Sequence, residues 1–104
     1  MHPSVRREIL GRISDNLRLA RRSQRMTQEL LAHRSGLHRT EIGKLESSER
    51  LPRLDTAVKL ATALEVPLDE LVDGVTWELP QRSWGRGRFK VDPFVSSLRP
   101  QDPR

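Results

Sequence analysis

Residues 37–46 arrange side chains that can hydrogen-bond to another molecule around two that cannot. Ile42 and Leu45 stand three apart and would face one way on a helix, leaving His38, Arg39, Thr40, Gly43 and Lys44 on the outer side. Arginine and lysine there supply only donors, while threonine supplies a hydroxyl that both donates and accepts. Such a set suits recognition of a partner better than turnover of a substrate. No serine, acid or histidine stands in a nucleophile motif, and no glycine-rich phosphate loop occurs, so an enzyme is not expected. His33 and His38 lie five apart in a chain without cysteine, a spacing that fits no zinc site. They read as solvent-facing histidines, and neither a metal nor a cofactor is expected.

The outward residues are useful only if the elements around them hold a second helix away from the body of the protein. Three requirements follow. A small residue must sit where the helices cross, the turn must tolerate a positive φ, and the second helix must be anchored one turn apart. Ala32, Gly36, and Ile42 with Leu45 meet them in that order. Residues 27–46 therefore read as a helix-turn-helix, with Thr27 as N-cap of a helix over 28–34 and a second helix over 38–45. Such a helix can enter the major groove with its first residues on base edges.

Other helices supply the core. Val5, Ile9, Ile13, Leu17 and Ala20 recur at three- and four-residue spacing, which predicts an amphipathic helix over 5–19 with Ser4 as N-cap and a weak point at Gly11. Val58, Leu60, Ala61 and Leu64 predict an inward stripe on a helix over 54–64. A short helix over 67–72 would stop at Asp73-Gly74. Beyond Gly74 the alternation of Val75-Thr76-Trp77-Glu78-Leu79 and of Arg88-Phe89-Lys90-Val91 predicts two short strands joined by an irregular loop. The fold class is all-α: a five-helix DNA-binding domain over 1–74, a β-hairpin or strand appendage over 75–91, and a disordered tail over 92–104.

Composition agrees with a polyanionic partner. The 104 residues carry a formal charge of +5, distributed as two basic segments, 1–50 and 76–104, around an acidic one, 51–75. Most of the 19 basic residues are arginine, which suits bidentate contact with phosphate and guanine but follows equally from a GC-rich genome. The N-terminal residues lead into no apolar stretch long enough for a signal peptide or a membrane span, so a soluble, cytoplasmic protein without membrane contact is expected.

The residues Thr27-Gln28-Glu29, Ala32, Gly36-Leu37, Ile42, Leu45-Glu46, Glu49-Arg50, Pro52, Leu60-Ala61, Leu64, Val66, Leu68-Asp69-Glu70-Leu71 and Gly74 resemble the phage-repressor-like (Xre/Cro-type) helix-turn-helix domains. The resemblance spans about residues 13–74 and implies a five-helix, lambda-repressor-like bundle that binds double-stranded DNA. It implies that Arg39, Thr40 and Lys44, with His38, read bases. Arg39 would bond guanine in bidentate fashion, and Thr40 would offer its hydroxyl or its methyl. It implies that Gln28 contacts phosphate and braces the first residue of the recognition helix, and that Arg21 and Glu46 form a structural salt bridge. The Ser47, Ser48, Arg50 and Arg53 loop, with Thr27, would position the module on phosphate. At Gly43 two readings stand level: close approach to the groove, or a tolerated helix defect.

The sequence departs from the pattern at Ser48 and Glu65, where glycine is usual at helix ends with positive φ, and at His38 and Arg53, where serine commonly caps. Leu30 replaces a usual polar residue and is expected to add a core contact. Trp77, Leu79, Phe89 and Val91 have little core to join. They suit the contact face of a homodimer, the docking face of a toxin or other protein partner, or a hairpin packed on its own domain. Trp84-Gly85-Arg86-Gly87-Arg88 also has the Arg-Gly-Arg centre of an AT-hook-like arm without its flanking prolines. The function implied is a transcriptional regulator, a repressor acting as a homodimer on an inverted-repeat operator. The alternative is an antitoxin-type or adaptor protein that works through the appendage.

Overall fold

The computed structural model describes residues 1–82 and 85–93. Five helices precede a two-stranded antiparallel sheet: α1 (Pro3–Ser23), α2 (Gln28–Ser35), α3 (Arg39–Glu46), α4 (Leu54–Leu64), α5 (Leu68–Leu71), β1 (Val75–Glu78) and β2 (Arg88–Val91). The order and type of elements agree with the sequence expectation. The tail expected from Asp92 lies, beyond Pro93, outside the described residues, as does Trp84.

The first helix is longer than its apolar stripe suggests. It starts at Pro3, whose fixed φ suits a first helical position, and His2, not Ser4, is the N-cap. The Ser4 backbone N–H donates to His2 Nδ1 at 3.1 Å. Gly11 causes no break over the 21 residues. A glycine costs a helix interior about 1 kcal/mol, and Ile9, Leu17 and Ala20 are buried on either side of it. The core joins Leu17 of α1 to Leu31 of α2, Ile42 of α3 and Leu60 and Leu64 of α4, all of them fully enclosed.

Two apolar positions point the other way from expectation. Val58 is 48% exposed because the buried stripe of α4 runs through Ala57, Leu60, Ala61 and Leu64, which sets position 58 about 100° off it. Leu30 is 45% exposed and adds no core contact. The expected strain at the caps is present. Ser48 (φ 66°) and Glu65 (φ 59°) occupy the left-handed region without being glycine, and Arg25 (φ 55°) joins them.

Candidate nucleic-acid interface

The α2–α3 unit is built as its sequence requires. Thr27 caps α2 by accepting from the Leu30 backbone N–H at 3.0 Å. Gly36 takes the left-handed conformation (φ 72°) that ends the helix. Leu37 N–H then returns to Ala32 C=O at 3.0 Å, and Ala32 is buried. His38 caps α3 through Nδ1, 3.4 Å from the Thr40 N–H. Ile42 and Leu45 bury the inner face.

The outer face carries the residues singled out for base reading. His38, Arg39 and Thr40 are exposed at the N-terminal end of α3, and Gly43 and Lys44 follow half-buried one turn on. A Cβ at Gly43 would meet no atom within 4 Å, so packing inside the protein does not require a glycine there. Of its two readings, only approach by something outside the protein leaves glycine a steric task.

Beneath this face lies a buried charge cluster. Glu46, 4% exposed, accepts from Arg21 Nε at 2.6 Å and Nη2 at 2.9 Å, a bidentate pair. Gln28 Nε2 donates to the same carboxylate at 3.0 Å. Arg21 also donates to Met26 C=O at 2.7 Å, tying the α1–α2 loop into the cluster. The hydrogen bond with Glu46 holds the Arg21 guanidinium's pKa above its ordinary value. The salt bridge expected of Arg21 and Glu46 is therefore formed, but Gln28 braces the end of α3, not its beginning.

The residue that touches the beginning of α3 is Glu29, which sequence reasoning passed over. Its carboxylate lies 2.7 Å from Arg39 Nε, and both side chains are more than half exposed. Its pKa is held below the usual carboxylate value, first by hydrogen bonding with its own backbone N–H in the first turn of α2 and then by Arg39.

The loop after α3 is fastened from below. Ser14, 1% exposed, donates to Leu45 C=O at 2.7 Å and accepts from the Ser48 hydroxyl at 2.9 Å. Arg18 donates to Glu46 C=O at 2.5 Å and pairs with Asp15. Ser47 donates to the Glu49 carboxylate at 2.6 Å, and Arg50 is exposed. Arg53 forms no side-chain cap on α4 and sits 3.4 Å from Asp55, largely exposed. The sequence reading missed Ser14, Asn16 and Arg12, polar positions on α1 that turn out to be buried.

Arg12 and Asn16 hold the hairpin at its root. Asn16 donates to Leu71 and Asp73 carbonyls at 3.0 and 2.9 Å. Arg12 reaches Asp73 C=O at 2.8 Å and Asp92 C=O at 3.3 Å, so one guanidinium bridges both ends of the ribbon. Gly74 (φ 88°) passes so near that a Cβ there would lie 2.4 Å from Arg12 Nε. The register pairs Val75 with Val91 and Trp77 with Phe89. On a pleated ribbon Val75, Trp77, Phe89 and Val91 share one face, and Leu79 follows the end of β1. Val75 and Val91 are half-buried at the root. Farther out, Trp77 (52% exposed) meets Phe89 edge to face at 5.0 Å, and Leu79 is bare.

Among the described residues no cluster of three histidines, cysteines or acids could hold a metal ion, and no helix is long and apolar enough to cross a membrane.

Fold and surface define a helix-turn-helix protein. Residues 17–71, just over half of the chain, match the helix-turn-helix family HTH_3, and the chain belongs to that family. It is 42% identical over 60 residues to the control protein C.SmaI of Serratia marcescens, covering 58% of this chain and 71% of that one. It is 38% identical over 60 residues to RstR, a cryptic phage CTXphi transcriptional repressor of Vibrio cholerae, again over 58% of this chain but only 54% of RstR. Among solved structures, the restriction-modification controller protein C.AhdI of Aeromonas hydrophila superposes with a TM-score of 0.58 at 39% identity, over 60% of this chain and 94% of that one. The controller C.Esp1396I bound to a 25 base pair operator site gives 0.57 at 30% identity, over 62% and 88%.

Proposed function

We propose that this protein is a sequence-specific double-stranded DNA-binding transcriptional regulator, acting as a repressor and as a homodimer on an inverted-repeat operator in the cytoplasm. One observation carries the reading: the outer face of α3, bearing exposed Arg39 and Thr40 and half-buried Lys44, with His38 at its cap, is held by the Arg21–Glu46–Gln28 cluster. Rigid mounting matters because base reading depends on bond geometry. The similarity to operator-bound C.Esp1396I supports the same use of this face. Gln28, Thr27, Gly43 and the Ser47, Ser48, Arg50 and Arg53 loop position the module on the phosphates. Two copies would set their recognition helices about one DNA turn apart, roughly 34 Å. The apolar ribbon face of Trp77, Leu79, Phe89 and Val91 is the contact with the second copy. A purely adaptor or antitoxin-type role is not favoured, since one relative is a control protein and the other a transcriptional repressor.

Selection of sites from random duplexes tests the reading. An enriched palindrome is the expected result. Salt-sensitive binding without any motif would overturn it, because phosphate contacts alone give affinity without sequence preference.

A further inference from the structure

We propose that Glu29 is a specificity-determining positioning residue, which fixes the edge that the Arg39 guanidinium presents to a guanine and keeps it off the phosphates. This inference rests on the DNA-reading function proposed above and adds to it a residue on the neighbouring helix.

The argument begins with the shape of the arginine head. A guanidinium is a planar fork with five N–H donors, and it can grip a two-acceptor partner either by its terminal edge, Nη1 with Nη2, or by its side edge through Nε. Glu29 Oε2 stands 2.7 Å from Arg39 Nε and so occupies the side edge. Among the described residues no hydrogen bond engages the terminal nitrogens of Arg39. The edge that remains open is the one with two parallel donors, the match for O6 and N7 of guanine.

Both partners are set on fixed elements. Glu29 follows Gln28 in the first turn of α2, where the helix dipole favours an acid, and α2 is pinned through Thr27 and Gln28. Arg39 is the first residue of α3, and its side chain is more than half exposed. A free arginine at that place has many rotamers, and ordering one costs side-chain entropy. The carboxylate meets part of that cost before DNA arrives. It also has a second consequence. An acid beside a DNA-facing surface repels phosphate, so Glu29 sacrifices general affinity for discrimination, which is a difference between affinities.

The experiment compares the full chain with Glu29→Gln, Glu29→Asp and Arg39→Ala, each titrated against the duplex enriched from the random pool and against duplexes changed at one base pair at a time. Arg39→Ala identifies the base pair it reads. At that pair Glu29→Gln is expected to lower the preference for guanine by roughly tenfold, within the range a bidentate contact supplies, while raising affinity for unrelated duplex. Glu29→Asp, which keeps the charge on a shorter arm, should restore part of the preference. In the double variant, Glu29→Gln should change nothing further at that pair. The preference is a ratio of affinities on one protein sample, so a loss of folded fraction does not move it. If Glu29→Gln bound every duplex more tightly with unchanged base preference, the carboxylate would merely compete with DNA and the positioning role would be overturned. If the unaltered chain enriched no motif, the DNA-reading function itself would fall, and this inference with it. If a motif emerged but Arg39→Ala altered no position, the assignment of Arg39, and hence of Glu29, would be wrong.

Discussion

Arg39 and Gln28 look alike in a sequence, two polar residues on a helix-turn-helix, yet their surroundings separate what their loss should do. Arg39 is exposed at the start of α3, where its side chain pairs with Glu29. Arg39→Ala should cost a selected operator about 1–3 kcal/mol and relax preference at one base pair. Gln28 is tied to buried Glu46, so Gln28→Ala should weaken operator and unrelated duplex alike. Titrations on both duplexes distinguish the two, and equal losses in both variants would contradict the assignment. Arg21 belongs to a different class. Removing it leaves the Glu46 carboxylate, 4% exposed, without its cation. Arg21→Ala should therefore destabilise the fold by about 3–5 kcal/mol in denaturant unfolding, far more than any exposed pair here would. The Arg21–Glu46 pair was legible in the sequence through family resemblance. The Glu29–Arg39 contact was not, because it depends on the angle at which α2 and α3 cross, which no spacing rule specifies.

Among the elements, those with strong periodicity were readable and those fixed by distant partners were not. The four longer helices follow from apolar stripes and from Thr27 and Gly36. The burial of Ser14, Asn16 and Arg12 does not, since each is satisfied by a carbonyl 31 to 80 residues away and looks in sequence like a solvent position. The helix ends offer two opposed tests. Glu65 closes α4 at φ 59°, a conformation costing a non-glycine residue about 1–2 kcal/mol. Against this, its exposed pair with Arg34 at 3.1 Å is worth under about 1 kcal/mol. Glu65→Gly should raise the thermal midpoint by a few degrees. Gly74→Ala should do the reverse, since it adds a Cβ 2.4 Å from Arg12 Nε at φ 88°. It should also loosen the hairpin from α1, visible as faster amide exchange at Val75 and Asp92, whose N–H groups bond to Val72 and Gly74 carbonyls. Acid should act on the same ribbon. Arg88 holds the Glu78 pKa below its ordinary value, so the pair's contribution is complete above the usual glutamate range and disappears as pH falls through the depressed value. That contribution is small and screened by salt, because both groups lie in water.

For the molecule as a whole, the hairpin raises a question of surface chemistry. Its apolar face starts half-buried at Val75 and Val91 against α1, then runs outward through Trp77, Phe89 and Leu79 into solvent. Trp77 and Phe89 in contact on one ribbon face, with exposed Leu79 just beyond β1, make an apolar surface of the kind that monomers cover. A two-fold axis would let the same face of a second copy cover it, since an isologous interface needs only one self-complementary surface. Such an arrangement would also couple the distance between the two α3 helices to the hairpin, and hence to operator spacing. The full chain should therefore sediment as a dimer of twice 12.0 kDa. Replacing Trp77 and Phe89 together by lysine should yield a monomer with unchanged helix content, because neither ring is part of the helical core. In that monomer, affinity for a single half-site should persist while affinity for the full palindrome falls to the half-site level. A doubly substituted chain that remained dimeric would place the second copy elsewhere, most directly on the apolar groove that Ile9, Ile13, Leu51, Leu54, Leu68 and Val72 line.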